Sequence, residues 1–141
     1  CIHTLVQTAG GDGNLLFNVG PMPNGEIEPR QVDRLREIGA WLAKNGESIY
    51  GTRGGPFLPA KWGCSTHRDN KIYVHVLQWP RKCLNLPVLT EKITSATMMD
   101  GNAVEWQQNK EGVSIMLDKD KHDPIDTIVV LTTDAPVGAT P

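Results

Sequence analysis

The stretch GNLLFNVGPMPNGEIEP, residues 13–29, decides the fold class. Residues 15–20 are short, apolar on both faces and bounded by glycine, which is typical of a strand buried on both sides in a parallel sheet. Asn24-Gly25 then indicates a turn, and Pro29 suits the first position of a helix, where its missing N–H costs nothing. The sequence therefore predicts a strand, a turn and a helix, the order found in an α/β unit.

Helical spacing occurs on both sides of the predicted strand. Residues 1–9 carry apolar side chains at helical intervals, and Gly10-Gly11 supply a stop. We therefore expect the chain to open inside a helix and to be a C-terminal fragment of a longer protein. A second helix is predicted from Pro29 to about Asn45, with one apolar and one charged face. Its apolar stripe is expected to pack on the strand through Val32, Leu35, Ile38 and Leu42.

The pattern changes after Tyr50. Residues 51–59, GTRGGPFLP, are rich in glycine and proline and indicate a domain junction. From Trp62 onward no helical period recurs, and turn signals separate short β-rich runs. This spacing predicts an antiparallel β-sandwich. The predicted strands are 62–67, 71–79, 83–89, 93–99, 103–108, 113–118 and 127–133.

Composition excludes several classes of function. The 141 residues have a formal net charge of −2 and a pI near 6.1, and their basic side chains are not clustered, which argues against binding to nucleic acid or to an anionic membrane. Apolar runs stay far below the roughly 18 residues of a membrane span. Cys64 and Cys83 could form a disulfide, but the usual burial of cysteine favours free thiols.

Residues 13–53 closely resemble the end of the catalytic domain in α-L-fucosidases of glycoside hydrolase family 29. The matching blocks, in order, are Gly13–Pro21, Leu35–Leu42 and Asn45–Thr52. This resemblance implies an α/β plus all-β fold. Residues 1–53 would be the terminal strand-helix unit of a (β/α)₈-like barrel, and residues 54–141 an antiparallel β-sandwich.

The resemblance also implies a function for the parent protein. It would be a secreted or periplasmic retaining exo-glycosidase that hydrolyses terminal α-L-fucosyl linkages in fucosylated oligosaccharides or glycoconjugates. No metal or cofactor is implied, and no nucleic acid or membrane partner. The remainder of the catalytic barrel would be the structural partner of this fragment.

No catalytic residue is assigned in this chain. Retaining glycosidases use two carboxyl groups about 5 Å apart, and in the family these Asp and Glu residues lie upstream, so the fragment alone is expected to be inactive. Glu26 and Glu28 lie in the loop expected at the catalytic face, although a helix dipole also favours acidic side chains there. Asn18, at the strand end, is the candidate substrate-binding residue, with fixing of local backbone as the competing interpretation.

Two further groups of side chains could carry chemistry. The histidines show no metal-ligand spacing, and surface or half-buried positions are expected for His3, His67, His75 and His122. Aromatic side chains could form a sugar-stacking platform, which leaves a non-catalytic carbohydrate-binding or structural β-sandwich module as the alternative function. Apolar residues on both faces of strand 71–79 instead favour packing between the second sheet and the barrel. The aromatic residues concerned are Trp62, Tyr73, Trp79 and Trp106.

Overall fold

The computed structural model describes residues 1–80 and 83–138. Within these ranges, two α-helices precede the sheets: α1 (Ile2–Gly10) and α2 (Pro29–Asn45), and a 3₁₀ turn, Gly46–Ser48, continues from α2. Both predicted helices are confirmed. Gly11 caps α1, and Pro29 occupies the first turn of α2 as expected.

Eight strands in the described residues form two antiparallel sheets. The larger sheet has the order β1-β2-β3-β8-β5 and the smaller one the order β4-β7-β6. All seven predicted strands are confirmed, and the two-residue strand β1 is an addition. The strands are β1 (Arg53–Gly54), β2 (Gly63–Arg68), β3 (Lys71–Val76), β4 (Cys83–Leu86), β5 (Ile93–Met98), β6 (Glu105–Asn109), β7 (Gly112–Met116) and β8 (Thr127–Thr133).

One apolar core fills the space between the two sheets. It joins Ile72 and Val74 of β3 to Leu84 of β4, Val113 of β7 and Leu131 of β8. Because side chains alternate along a strand, the neighbours of these β3 residues face the opposite side of the larger sheet. We call this opposite side the outer face.

The outer face is covered by the N-terminal segment, residues 1–52, through α1 and the turn after α2. The antiparallel register sets Cys64 opposite His75 and Thr66 opposite Tyr73, and all four of these residues are buried. α1 packs against β2. The prediction that strand 71–79 is packed on both of its faces is therefore confirmed for β3.

The aromatic side chains serve packing. Tyr73 is fully buried on the outer face. Trp62, Trp79 and Trp106 are partly buried and pack against the core between the sheets. The packing interpretation of these four residues is confirmed, and sugar stacking stays the alternative hypothesis for the three partly buried tryptophans.

The buried strand predicted at residues 13–20 does not form in this 141-residue chain. The segment forms no strand, and Leu16 is 86% exposed and Phe17 44% exposed. A parallel strand buried on both faces needs neighbours that pair both edges, and here the nearest described pairing is an isolated bridge between Pro21 and Ile27. The barrel part of the predicted fold class is therefore not seen.

The apolar stripe of α2 is only half-buried, because no strand at residues 13–20 covers it. Its side chains reach half-burial instead of forming a core. Asn45, at the helix end, is the buried residue of α2. The residues of the stripe are Val32, Leu35, Ile38, Trp41 and Leu42.

The glycine- and proline-rich junction is part of the larger sheet. β1 pairs with β2 through Arg53↔His67 and Gly54↔Thr66, and Phe57 lies in the core between the sheets. The predicted division into residues 1–53 and 54–141 falls inside β1, and it stays a prediction.

Candidate functional site

A cluster of polar side chains lies where the N-terminal segment meets the outer face of the larger sheet. Its centre is formed by Ser48, Thr66, His75 and Asp126, which are all buried. β2 and β3 position Thr66 and His75 on one face, the 3₁₀ turn brings Ser48, and the turn before β8 brings Asp126. We call these four residues the buried polar cluster.

Hydrogen bonds connect the residues of the buried polar cluster along the outer face of the larger sheet. His75 Nδ1 lies 2.6 Å from Oδ2 of Asp126, and His75 Nε2 lies 3.5 Å from Oγ1 of Thr66. The Thr66 hydroxyl donates to the Ser48 carbonyl at 2.5 Å, and the Ser48 hydroxyl donates to the Asn45 carbonyl at 2.7 Å. The chain of contacts therefore runs from the turn before β8 to the end of α2.

The expected surface or half-buried positions are wrong for two of the histidines. His75 is fully buried, and His67 is 6% exposed, with its Nδ1 3.1 Å from the Gly55 carbonyl. His3 is exposed and His122 is half-buried, as predicted. The burial of His75 follows from the cover that the N-terminal segment places on the outer face.

A charged group borders the buried polar cluster. Oε1 of Glu47 accepts hydrogen bonds from Lys71 Nζ at 2.8 Å and from the Tyr73 hydroxyl at 2.7 Å. The bond from Lys71, followed by the one from Tyr73, lowers the pKa of Glu47. Burial, with a smaller contribution from Glu47, raises the pKa of Tyr73. Glu47 is thus held as a carboxylate against the sheet.

Cys64 lies between α1 and the buried polar cluster. Its Sγ contacts the Val6 carbonyl at 3.3 Å. Burial, followed by the charge of Asp126, raises the pKa of the thiol to about 12. A cysteine opposite a histidine that contacts an aspartate resembles a nucleophilic site, but catalysis needs an accessible thiolate. This arrangement is closed and neutral, and therefore structural. Cys1 and Cys83 are also free thiols.

A second contact fixes the N-terminal segment at the edge of the larger sheet. Arg53 donates to both oxygens of Asp12, from Nε at 2.9 Å and from Nη2 at 2.6 Å. The Gly54 amide also donates to Asp12, at 2.9 Å. The bonds from Arg53 lower the pKa of the Asp12 carboxyl. Asp12 therefore joins the end of α1 to β1.

The predicted site residues lie away from the buried polar cluster. Glu26 is exposed, and its Oε2 accepts a hydrogen bond of 2.8 Å from Asn24. Glu28 directly precedes α2 and pairs with Arg30 Nε at 2.7 Å, which lowers the pKa of Glu28. Asn18 is exposed in the 13–20 segment.

Neither a metal site nor a membrane-spanning helix is found among the described residues. Over residues 1–80 and 83–138, no group of three or more His, Cys, Asp or Glu side chains is placed to hold a metal ion. None of the described helices combines the length and apolar character that a membrane-spanning helix needs.

Two family models match the chain in sequence order. The model described as "Alpha-L-fucosidase" matches residues 1–47, and the model described as "Alpha-L-fucosidase C-terminal domain" matches residues 59–132. Among named relatives, tissue α-L-fucosidase of Rattus norvegicus is 37% identical over 128 residues, covering 82% of this chain and 27% of the relative. Plasma α-L-fucosidase of Homo sapiens is 37% identical over 84 residues, covering 56% of this chain and 18% of the relative.

Solved structures show the same fold. α-L-Fucosidase isoenzyme 1 from Paenibacillus thiaminolyticus aligns with a TM-score of 0.83 at 30% identity, over 94% of this chain and 34% of that one. The α-fucosidase of Thermotoga maritima in complex with fucose aligns with a TM-score of 0.77 at 27% identity, over 93% of this chain and 33% of that one. The chain thus spans about a third of these proteins or less.

Proposed function

The chain belongs to the α-L-fucosidase family, and we propose from this that it is the C-terminal part of a retaining exo-glycosidase that hydrolyses terminal α-L-fucosyl linkages. The observation that carries the proposal is that one chain matches both family models in order, across residues 1–47 and 59–132. The substrates would be fucosylated oligosaccharides or glycoconjugates, and the protein would be secreted.

The proposed role of this part is to complete the catalytic barrel and to attach it to the two-sheet domain. Residues 1–53 would supply the terminal strand-helix unit, and residues 54–141 the β-sandwich. Exposed Leu16 and Phe17 support the first assignment, because fully burying an apolar side chain of this size stabilises by about 1.5–3 kcal/mol. The remainder of the barrel would cover them, together with the half-buried stripe of α2.

The contacts at the outer face support the proposed attachment of the barrel unit to the two-sheet domain. Asp12 is fixed to β1, Glu47 to β3, and Ser48 to Thr66 of β2. Asp12 precedes residues 13–46, and Glu47 and Ser48 follow them. The three contacts would therefore fix both ends of this part of the barrel unit to the larger sheet.

The two carboxyl groups of the reaction would come from the remainder of the barrel. One would act as nucleophile and the other as acid/base, a mechanism that uses neither metal nor cofactor. Glu26 would stabilise the loop through its hydrogen bond with Asn24, and Glu28 would stabilise the start of α2 through its ion pair with Arg30. Asn18 stays the candidate substrate-binding residue, since strand ends of such barrels face the active site.

The proposal is tested on the longer protein that contains this chain. We expect it to hydrolyse an aryl α-L-fucoside and to release fucose first as the α-anomer, which proton NMR detects. The matched control substrate is an aryl α-galactoside, which should react far more slowly. A folded longer protein without fucosidase activity would overturn the proposal. If the isolated chain then bound fucosylated oligosaccharides, the carbohydrate-binding alternative would replace it.

A further inference from the structure

The tripeptide Asn-Gly-Glu occurs twice in the chain, at residues 24–26 and at residues 45–47. An asparagine followed by glycine is prone to cyclisation, because glycine has no Cβ to hinder the approach of its nitrogen to the asparagine side chain. The two copies have the same three side chains, so their structural surroundings are the main difference between them.

The first copy lies in the exposed loop before α2. Asn24 and Gly25 are both exposed, and a Cβ on Gly25 would have no heavy atom within 4 Å. Gly25 has a φ of 83°, in the left-handed region that favours glycine. The bond between these two residues therefore has open space around it.

The hydrogen bonds of Asn24 prepare its side-chain amide for attack. The Glu26 N–H donates to Oδ1 of Asn24 at 3.1 Å, and Nδ2 of Asn24 donates to Oε2 of Glu26 at 2.8 Å. Negative charge develops on Oδ1 when a nucleophile adds to Cγ, and a backbone N–H held against this oxygen stabilises that charge. The contact that orders the loop therefore also lowers the barrier to cyclisation.

We propose that Asn24 is a site of spontaneous deamidation and isoaspartate formation in the folded chain, and that Asn45 is protected. The Gly25 nitrogen loses its proton to hydroxide from solvent and forms a bond to Cγ of Asn24. The bond from Cγ to Nδ2 then breaks, and this nitrogen takes a proton from water and leaves as ammonia. Water opens the resulting succinimide ring at either carbonyl, which gives aspartate or isoaspartate.

One native contact must open before this reaction. The Gly25 N–H donates to the Met22 carbonyl at 2.8 Å, and it has to leave this acceptor before it can lose its proton. A backbone hydrogen bond in an exposed loop opens at little cost in free energy. The turn at residues 22–25 therefore slows the reaction without preventing it.

The second copy is closed by packing. Asn45 is 7% exposed at the end of α2. The Gly46 N–H donates to the Leu42 carbonyl as the helix cap, and a Cβ on Gly46 would clash with the ring of Tyr50. Cyclisation at Asn45 therefore requires the end of α2 to open.

The product changes the loop in two ways. A carboxylate replaces the Asn24 amide, so the donor to Glu26 is lost and two like charges face each other. Isoaspartate also adds one carbon to the main chain between the Met22 carbonyl and the Gly25 N–H, which are hydrogen-bonded in the native turn. The modified loop therefore loses both of these contacts.

Incubation of the folded chain for several weeks at pH 7.5 tests the proposal. Peptide mass spectrometry should show the replacement of NH₂ by OH at Asn24, and backbone fragmentation distinguishes isoaspartate from aspartate. We expect modification of Asn24 to exceed that of Asn45 by at least about tenfold, because a buried helix end opens far less often than an exposed loop. The same chain in urea is the matched control, and there the two copies should react to similar extents.

Two variants complete the experiment. Asn24→Gln should remove the modification at this position, because a longer side chain does not close the same ring. Asn24→Asp adds the charge without the extra main-chain carbon, so the Gly25 amide should exchange its hydrogen faster in the incubated wild type than in this variant. Similar modification of Asn24 and Asn45 in the folded chain would overturn the proposal, as would an unmodified Asn24 or a product that is aspartate alone.

Discussion

The Tyr73 hydroxyl donates a hydrogen bond of 2.7 Å to Oε1 of Glu47, across 26 residues of sequence. Tyr73 lies on β3, inside the larger sheet, and Glu47 lies in the turn that follows α2. The same Glu47 oxygen is 2.8 Å from Lys71 Nζ and 3.9 Å from Arg68 Nη2. The end of α2 is thus bound to two neighbouring strands at once.

Removal of the Tyr73 hydroxyl tests this contact. Tyr73→Phe keeps the buried ring and removes a hydrogen bond to a charged group, so we expect a loss of about 1.5–3 kcal/mol in the free energy of unfolding. Tyr50→Phe is the control, because Tyr50 is 62% exposed and should change stability by less than about 0.5 kcal/mol. Urea unfolding at pH 7 measures both. Equal effects would mean that Tyr73 stabilises through its ring alone.

Acid unfolding tests the charge on Glu47. The pKa of Glu47 is lowered, first by Lys71 and then by Tyr73. Its stabilising contribution is therefore present above the unfolded value of about 4.3 and is lost as the pH falls through the lower folded value. Because the side chain is 43% exposed, solvent screening keeps the effect small. Glu47→Gln should flatten the acid limb of stability against pH. Glu105→Gln, which replaces an exposed glutamate, is the matched control, and the same acid limb in both variants would refute this.

Two glycine substitutions should change stability in opposite directions. A Cβ on Gly10 would clash with Sγ of Cys64, so Gly10→Ala should cost about 1–3 kcal/mol through overpacking. Gly39, inside α2, has no heavy atom within 4 Å of such a Cβ, so Gly39→Ala should add about 1 kcal/mol. Thermal and urea unfolding of the two variants check this. A Gly10→Ala variant as stable as the wild type would contradict the packing of α1 on β2, and a destabilising Gly39→Ala would contradict the open position of Gly39.

Thiol labelling tests the closure of the outer face. Cys1 is exposed, whereas Cys64 is buried with a pKa raised to about 12, and the thiolate is the reactive form. With iodoacetamide at pH 8, we expect Cys1 to react quickly and Cys64 to react only after unfolding. Mass spectrometry of peptides identifies each site, and labelling in urea gives the full count. Rapid labelling of native Cys64 would show that the N-terminal segment does not cover the sheet.

Elements that depend on local pattern could be predicted from the sequence. α2 begins at Pro29 and ends at Asn45, and β8 runs from Thr127 to Thr133, as periodicity and turn residues indicate. The segment 13–20 could not be predicted in this way, because its strand depends on neighbours that pair its edges. β1 was missed because two residues are too short for a pattern, and it is held by Asp12, 41 residues away in sequence.

The buried polar cluster could not be predicted because its partners are distant in sequence. His75 pairs with Asp126 across 51 residues, and Thr66 bonds to Ser48 across 18. One signal was available in the sequence. In KIYVHV, Tyr73 and His75 share the face opposite Ile72 and Val74, so a strand packed on both faces must bury this histidine.

The catalytic activity of the isolated 141-residue chain tests the central claim most directly, namely that the chain is a part of a fucosidase without the catalytic carboxylates. Highly purified chain is incubated with an aryl α-L-fucoside, beside Glu26→Gln and Glu28→Gln variants. The expected result is no hydrolysis above background in any of the three, because an acid and a nucleophile must act together. Hydrolysis that survives purification and disappears in either variant would place the catalytic carboxylates in this chain and contradict the account.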